Sequence, residues 1–300
     1  MKKLAQVSLF ILFAAIFAEA AAVKSTLKLL LGETEIKVNV YENPVRQITF
    51  FAPHYNEQTA VRAAREAVEM HGGRFVEIES TDEKGKPNRY LKFRFGGKDY
   101  SIDPNRIYTE NGRTCNFPAE IETAVKNFAD NLLHIIFASD GKTLRENERF
   151  LVAVHNNADI AAKEKSAQNG DLTAAAYIRS PDSERIANGA FQDQAAGVYL
   201  SNTEDDTDNF VFLSTPTFIN HFAEKGFNIV IQKSLSRLQT KQCSVDDGSL
   251  SVFAARENIP YINLEADSNN GFFRQKQMLE AVFALLPKAE VETNLNAVNK

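Results

Sequence analysis

Residues Gln47–Gly73 read QITFFAPHYNEQTAVRAAREAVEMHGG. The opening QITFFAP is a short apolar run of the kind buried in a sheet, and the Ala-, Arg- and Glu-rich stretch after Glu57 predicts a helix that the Gly72-Gly73 pair stops. His54 therefore stands where a strand hands over to a helix, the place where open α/β sheets build their ligand sites. Glu57 follows three residues later, so an imidazole and a carboxylate can turn toward one point. Zinc accepts such nitrogen and oxygen ligands, and a catalytic site takes three from the protein. The spacing alone is not specific, because His221-Phe222-Ala223-Glu224 repeats it. There the apolar neighbours Phe218, Ile219 and Phe222 suit a packed helix, and His221 is read as structural. His155 is the candidate third ligand: it ends the apolar run FLVAVH (Phe150–His155), and parallel strands would bring it beside His54. His71 and His134 fall toward helix ends, where dipole and solvent account for a histidine.

On the N-terminal side of this unit, TLKLLLGETEIKVNVY (Thr26–Tyr41) alternates apolar and polar residues around a Gly-Glu turn and predicts a β-hairpin. On the C-terminal side, RFVEIES and RYLKFRFGGKDYSID add strand-like segments, the second with Gly96-Gly97 as a tight turn. A helix is expected over Pro118–Ala138. Between Asn156 and Asn209 lies a polar stretch, long for a compact domain and suited to function-bearing loops. The remainder alternates NFVFLST, TPTFINHFAEKG, NIVIQ, DGSLSVFAAREN, IPYINLEA and GFFRQKQMLEAVFALL, strand and helix in turn. That order predicts an α/β fold with a mixed, mainly parallel sheet flanked by helices on both faces. In DGSLSVFAAREN, preceded by Asp246, the Asp-Asp-Gly-Ser turn reads as the start of a helix, with pocket lining as the alternative.

The first 22 residues, MKKLAQVSLFILFAAIFAEAAA, place two lysines before an apolar run that ends in small residues, the layout of a secretory signal. The run is too short for a comfortable membrane span. A single mature domain over 23–287 and a loose polar tail over 288–300 are expected, in a periplasmic or secreted protein. Cys115 and Cys243 are the only cysteines; in an exported chain such a pair reads as a disulfide more readily than as two thiols. A formal net charge of −5 with interspersed signs offers no footprint for nucleic acid. Neither a glycine-rich phosphate loop nor a nucleophile-elbow serine is present.

Taken in order, His54-x-x-Glu57, Asp103-Pro104-Asn105-Arg106, His155 and Glu265 resemble the zinc carboxypeptidase superfamily, and the short form HYNE is most similar to the HGNE of its succinylglutamate desuccinylase and aspartoacylase branch. The resemblance implies one zinc ion on His54, Glu57 and His155, Asn105 and Arg106 binding a substrate carboxylate, and Glu265 activating water. It further implies an amide or peptide bond cleaved beside a carboxylate. The substrate would be a peptide with a free C-terminus, cell-wall peptides included, or a small N-acyl amino acid; a secreted binding protein of the same fold without turnover is the alternative. The chemistry agrees. A guanidinium fork pairs with a carboxylate, although a plain ion pair would also explain Arg106, and a strand-end ion pair would explain Glu265. Tyr55 replaces the glycine of HGNE and adds bulk beside the metal. No motif selects Tyr177 or Tyr199 as a tyrosine covering the substrate. The amides of Asn156 and Asn157 either orient ligands or start a loop.

Overall fold

In the computed structural model, central strands that are buried at nearly every position, such as Thr49–Ala52 and Leu151–Asn157, lie in the middle of a sheet with both faces covered. The residues described are 21–137, 150–157, 195–199, 201–202, 205–206, 208–232, 243 and 245–286. The signal segment, apart from its last two residues, and the tail lie outside them, as do Tyr177 and most of the polar stretch after Asn157.

The strands are β1 (Val23–Leu31), β2 (Thr34–Asn43), β3 (Thr49–Ala52), β4 (Gly73–Glu79), β5 (Leu91–Phe95), β6 (Lys98–Ile102), β7 (Leu151–Asn157), β8 (Ala195–Tyr199), β9 (Phe210–Leu213), β10 (Ile229–Gln232) and β11 (Tyr261–Asp267). Helices α1 (Gln58–His71), α2 (Glu110–Asn116), α3 (Glu122–Phe137), α4 (Ile219–Ala223), α5 (Leu250–Arg256) and α6 (Phe272–Phe283) complete the described elements. Nine strands form one sheet in the order β1-β2-β4-β3-β7-β11-β9-β10-β8. Its middle, β4-β3-β7-β11, is parallel throughout. Six of the nine strands run in one direction, with β2, β9 and β10 reversed. This is the expected mixed, mainly parallel α/β sheet.

Successive side chains of the central strands feed two cores. Phe51, Leu151, Ala153 and Tyr261 pack with Phe128 and Leu132 of α3 and Leu250 of α5. Phe50, Val152, Val154, Ile262 and Leu264 pack with Val61, Ala64 and Val68 of α1 and Met278, Leu279 and Val282 of α6. The opening hairpin forms with Leu31 opposite Thr34. The second hairpin also forms, with Gly96 and Gly97 both at positive φ as its turn requires, but it makes its own two-stranded sheet of β5 and β6.

Two elements were not anticipated. The seven-residue α2 is too short to display a helical period, and β8 lies within the polar stretch. Where a helix was expected over TPTFINHFAEKG, a 3-10 turn at Pro216–Phe218 leads into the five-residue α4. Cys115 at the end of α2 is bridged to Cys243, with Cα atoms 5.7 Å apart, inside the range a disulfide spans. The Asp-Asp-Gly-Ser turn starts α5: Ser249 is its N-cap and accepts from the Val252 N–H.

Candidate metal centre

His54 leaves the C-terminal end of β3, and its carbonyl accepts the Glu57 N–H at 3.2 Å, a turn that brings both side chains to the same side. Glu57 occupies the N-cap position of α1 yet makes no side-chain cap. Its carboxylate instead reaches across the strand ends. Oε1 lies 2.8 Å from His54 Nδ1, and Oε2 lies 3.0 Å from Nδ1 of His155 near the end of β7. All three side chains are buried, and one ligand atom from each lies within 4.8 Å of the others. The cluster thus stands at the carboxyl ends of adjacent parallel strands, as the sheet position predicts.

Around this cluster the structure supplies fixed partners. His54 Nε2 is 2.9 Å from Asp103 Oδ1, a carboxylate behind an imidazole. Arg89 then joins the two acids, Nε donating to Asp103 Oδ2 at 3.0 Å and Nη1 to Glu57 Oε1 at 3.2 Å. The Asn156 N–H donates to Glu57 Oε2 at 3.0 Å. The Asn156 side chain accepts the Ala60 N–H of α1 and donates to the Ala266 carbonyl of β11, so one residue ties three elements together. Asn157 Nδ2 donates to the Asp208 carbonyl at 2.9 Å, and the loop expected after this pair lies outside the described residues.

Electrostatics follow from this packing. Burial works against charge on His54, but the carboxylates of Glu57 and Asp103 outweigh it and raise the imidazole pKa. Burial would likewise raise Glu57, yet the two imidazoles hold it below the usual carboxylate range. Asp103 is also kept well below its ordinary value, against burial, by His54, Arg89 and Arg106. Two nitrogens and one carboxylate converging on a buried point, with an outer carboxylate orienting one imidazole, suit a divalent transition metal such as zinc.

The other predicted residues lie close by. Glu265 on β11 is the register partner of His155, and parallel partners project to the same face. It is half-buried, and Asn263 Nδ2 donates to its Oε1 at 2.9 Å. Asn105 and Arg106 follow Asp103 directly, but both have partners within the fold. Asn105 Oδ1 accepts the Leu250 N–H at 3.0 Å, at the start of α5. Arg106 Nη1 donates to the Asn105 carbonyl at 2.8 Å and lies 3.5 Å from Asp247 Oδ2. Tyr55 is partly buried. Tyr199 is half-exposed on the edge strand β8.

Arg89 had no signal in the sequence. It is one of several basic residues before β5, and only the fold brings it to Glu57 and Asp103. The remaining histidines stay apart from the cluster. His221 Nε2 donates to the Ala281 carbonyl at 2.8 Å, His71 pairs with Glu280, and His134 is exposed on α3.

No family model matches the sequence, and no curated protein does. Solved structures similar to this chain include a metallo-carboxypeptidase from Burkholderia cenocepacia, 11% identical over 89% of this chain and 65% of that one, TM-score 0.38. A proposed metallopeptidase from Shewanella baltica OS155 is 10% identical over 87% and 84%, TM-score 0.37. An aspartoacylase family protein from Mesorhizobium loti is 10% identical over 86% and 67%, TM-score 0.35. The chain thus spans about two thirds of the length of the first and the last. Likeness of this degree transfers no chemistry, so the functional reading rests on the residues themselves.

Proposed function

We propose that this protein is an exported, zinc-dependent hydrolase that cleaves an amide bond beside a carboxylate, with peptides as its substrates. The observation that carries the reading is the buried convergence of His54, Glu57 and His155, backed by Asp103 and flanked by Glu265 one strand away. His54, Glu57 and His155 would hold the ion. A zinc ion there supplies Lewis acidity toward the scissile carbonyl and lowers the pKa of water toward neutrality.

The chain's own groups do the rest. Asp103 fixes the ring orientation of His54, and Asn156 and Arg89 fix the carboxylate of Glu57. Glu265 accepts a proton from the attacking water and passes it to the leaving nitrogen. Asn263 holds one of its oxygens, which orients the carboxylate. Arg106 receives the substrate carboxylate, at about a quarter exposure and already anchored through the Asn105 carbonyl. Export and the choice of peptides over small acyl amino acids draw support from the signal-like leader and from the Cys115–Cys243 bridge, which suits an oxidising compartment.

The test is metal analysis of the purified mature protein, followed by hydrolysis of a panel of peptides and N-acyl amino acids with and without a chelator. Zinc at one ion per chain and chelator-sensitive hydrolysis are expected, with Glu265→Gln slower by about 10²–10⁴-fold. A protein that neither contains nor takes up zinc would sink the reading.

A further inference from the structure

Arg106 and Asp247 are opposite charges that face each other without closing. Their N···O separation is 3.5 Å, longer than a charge-assisted hydrogen bond, and the side chains are 26% and 21% exposed.

Each is nevertheless held in place by other bonds. Arg106 Nη1 donates to the Asn105 carbonyl. Asp247 Oδ1 accepts the Ser249 N–H at 3.0 Å, and its carbonyl accepts Asn116 Nδ2 at 3.0 Å, so Oδ2 is the oxygen left toward Arg106. The loop itself is pinned. Tyr108 N–H donates to the Gly248 carbonyl at 2.9 Å, and the disulfide ties the loop's Cys243 to α2. Gly248 has φ +81°, and a Cβ there would strike the Arg106 carbonyl. The two charges are therefore presented on fixed backbone.

They also border the candidate centre. The Arg106 N–H donates to the carbonyl of Asp103, whose carboxylate stands behind His54, at 3.1 Å. On the other side, burial raises the pKa of the Tyr261 hydroxyl on β11 well above the ordinary value, and the charges of Glu265 and Asp247 both reach it and add to the rise. A lone substrate carboxylate on Arg106 would be repelled by Asp247, and an ammonium on the same substrate carbon would remove that repulsion.

Building on the hydrolase reading, we propose that Arg106 and Asp247 together recognise a zwitterion: a substrate residue whose carboxylate meets Arg106 while its free ammonium meets Asp247. Such a residue must be joined through a side-chain amide, because an acylated α-amino group carries no charge. Because the hydrolase reading places the Arg106 carboxylate on the amine half of the amide, the substrate class is a peptide joined through the far amino group of a diamino acid, and the peptides of that reading narrow to this linkage.

The probes are Nω-acetyl derivatives of 2,4-diaminobutyric acid, ornithine and lysine, each paired with its desamino counterpart: 4-acetamidobutyrate, 5-acetamidopentanoate and 6-acetamidohexanoate. Binding is measured by calorimetry on the mature wild-type protein, with and without zinc. At least one zwitterion should bind about tenfold more tightly than its desamino partner, a ratio typical of one hydrogen bond to a charged group. Asp247→Asn should bring that ratio to about one and improve binding of the carboxylate-only probe, because a competing anion is gone. Equal binding of both members of every pair, no binding by any probe, or a preference that survives Asp247→Asn overturns the proposal. A protein that takes up zinc and hydrolyses other carboxylate-bearing amides would in that case retain the hydrolase reading, whereas failure to take up zinc removes that reading separately.

Discussion

His54-Tyr55-Asn56-Glu57 and His221-Phe222-Ala223-Glu224 have the same spacing and different fates. The first spans the passage from β3 to α1, and its side chains meet His155 from a strand about a hundred residues away. The second lies in and just after the short α4, where His221 donates to a carbonyl of α6 and Glu224 points to solvent. A histidine and a glutamate three apart are thus only a local possibility. What turns one pair into a cluster is convergence of parallel strand ends, with outer groups that hold each ligand in one orientation.

This contrast can be broken most directly at Glu57, the group shared by both imidazoles. Glu57→Gln should weaken zinc binding by more than about 100-fold, above the upper figure for changes outside the ligand set, as read by competition with a chelator. Asp103→Asn comes next. It keeps the shape but changes the partner of His54, and zinc affinity should fall by about 10–100-fold in the same assay. Arg89→Met sharpens the point in the metal-free protein. Two largely buried carboxylates lose a shared donor, and urea unfolding should show a loss of about 1 kcal/mol, modest because the guanidinium is itself a third exposed. The smallest effect belongs to the other segment. His221→Ala should leave zinc affinity unchanged and cost at most about 1 kcal/mol, one hydrogen bond to Ala281; zinc affinity that drops in this variant would mean the wrong segment was assigned.

Much of the architecture was legible along the chain. The hairpin of β1 and β2, the strand-to-helix passage of β3 and α1, and the alternation from β9 to α6 follow from periodicity and glycine stops, which act within a few residues. His54 and Glu57 were legible at the passage from strand to helix, and His155 and Glu265 after apolar runs; β7 and β11 each continue two residues beyond them. The start of α5 at Ser249 was legible too, as a polar turn. Other parts had no local signal. The α2 helix is two turns long, β8 hides in a polar stretch, and Arg89 resembles its basic neighbours. The engagement of Asn105 with Leu250, 145 positions away, depends on how the segment after β6 meets the start of α5.

By itself, then, the sequence determined most of the strands and helices, α2 and β8 apart, and the residue types that end them, because backbone alternation and helix caps are written within a turn or two. Only the tertiary structure decided which strand ends are neighbours. β3 pairs with β7, and β7 with β11, through ladders between segments a hundred or more residues apart, so burial of both sheet faces selects the register. That register places Glu265 beside His155 and gives Glu57 two imidazoles. The same long-range packing brings Arg89 to two acids and sets Asp247 against Arg106.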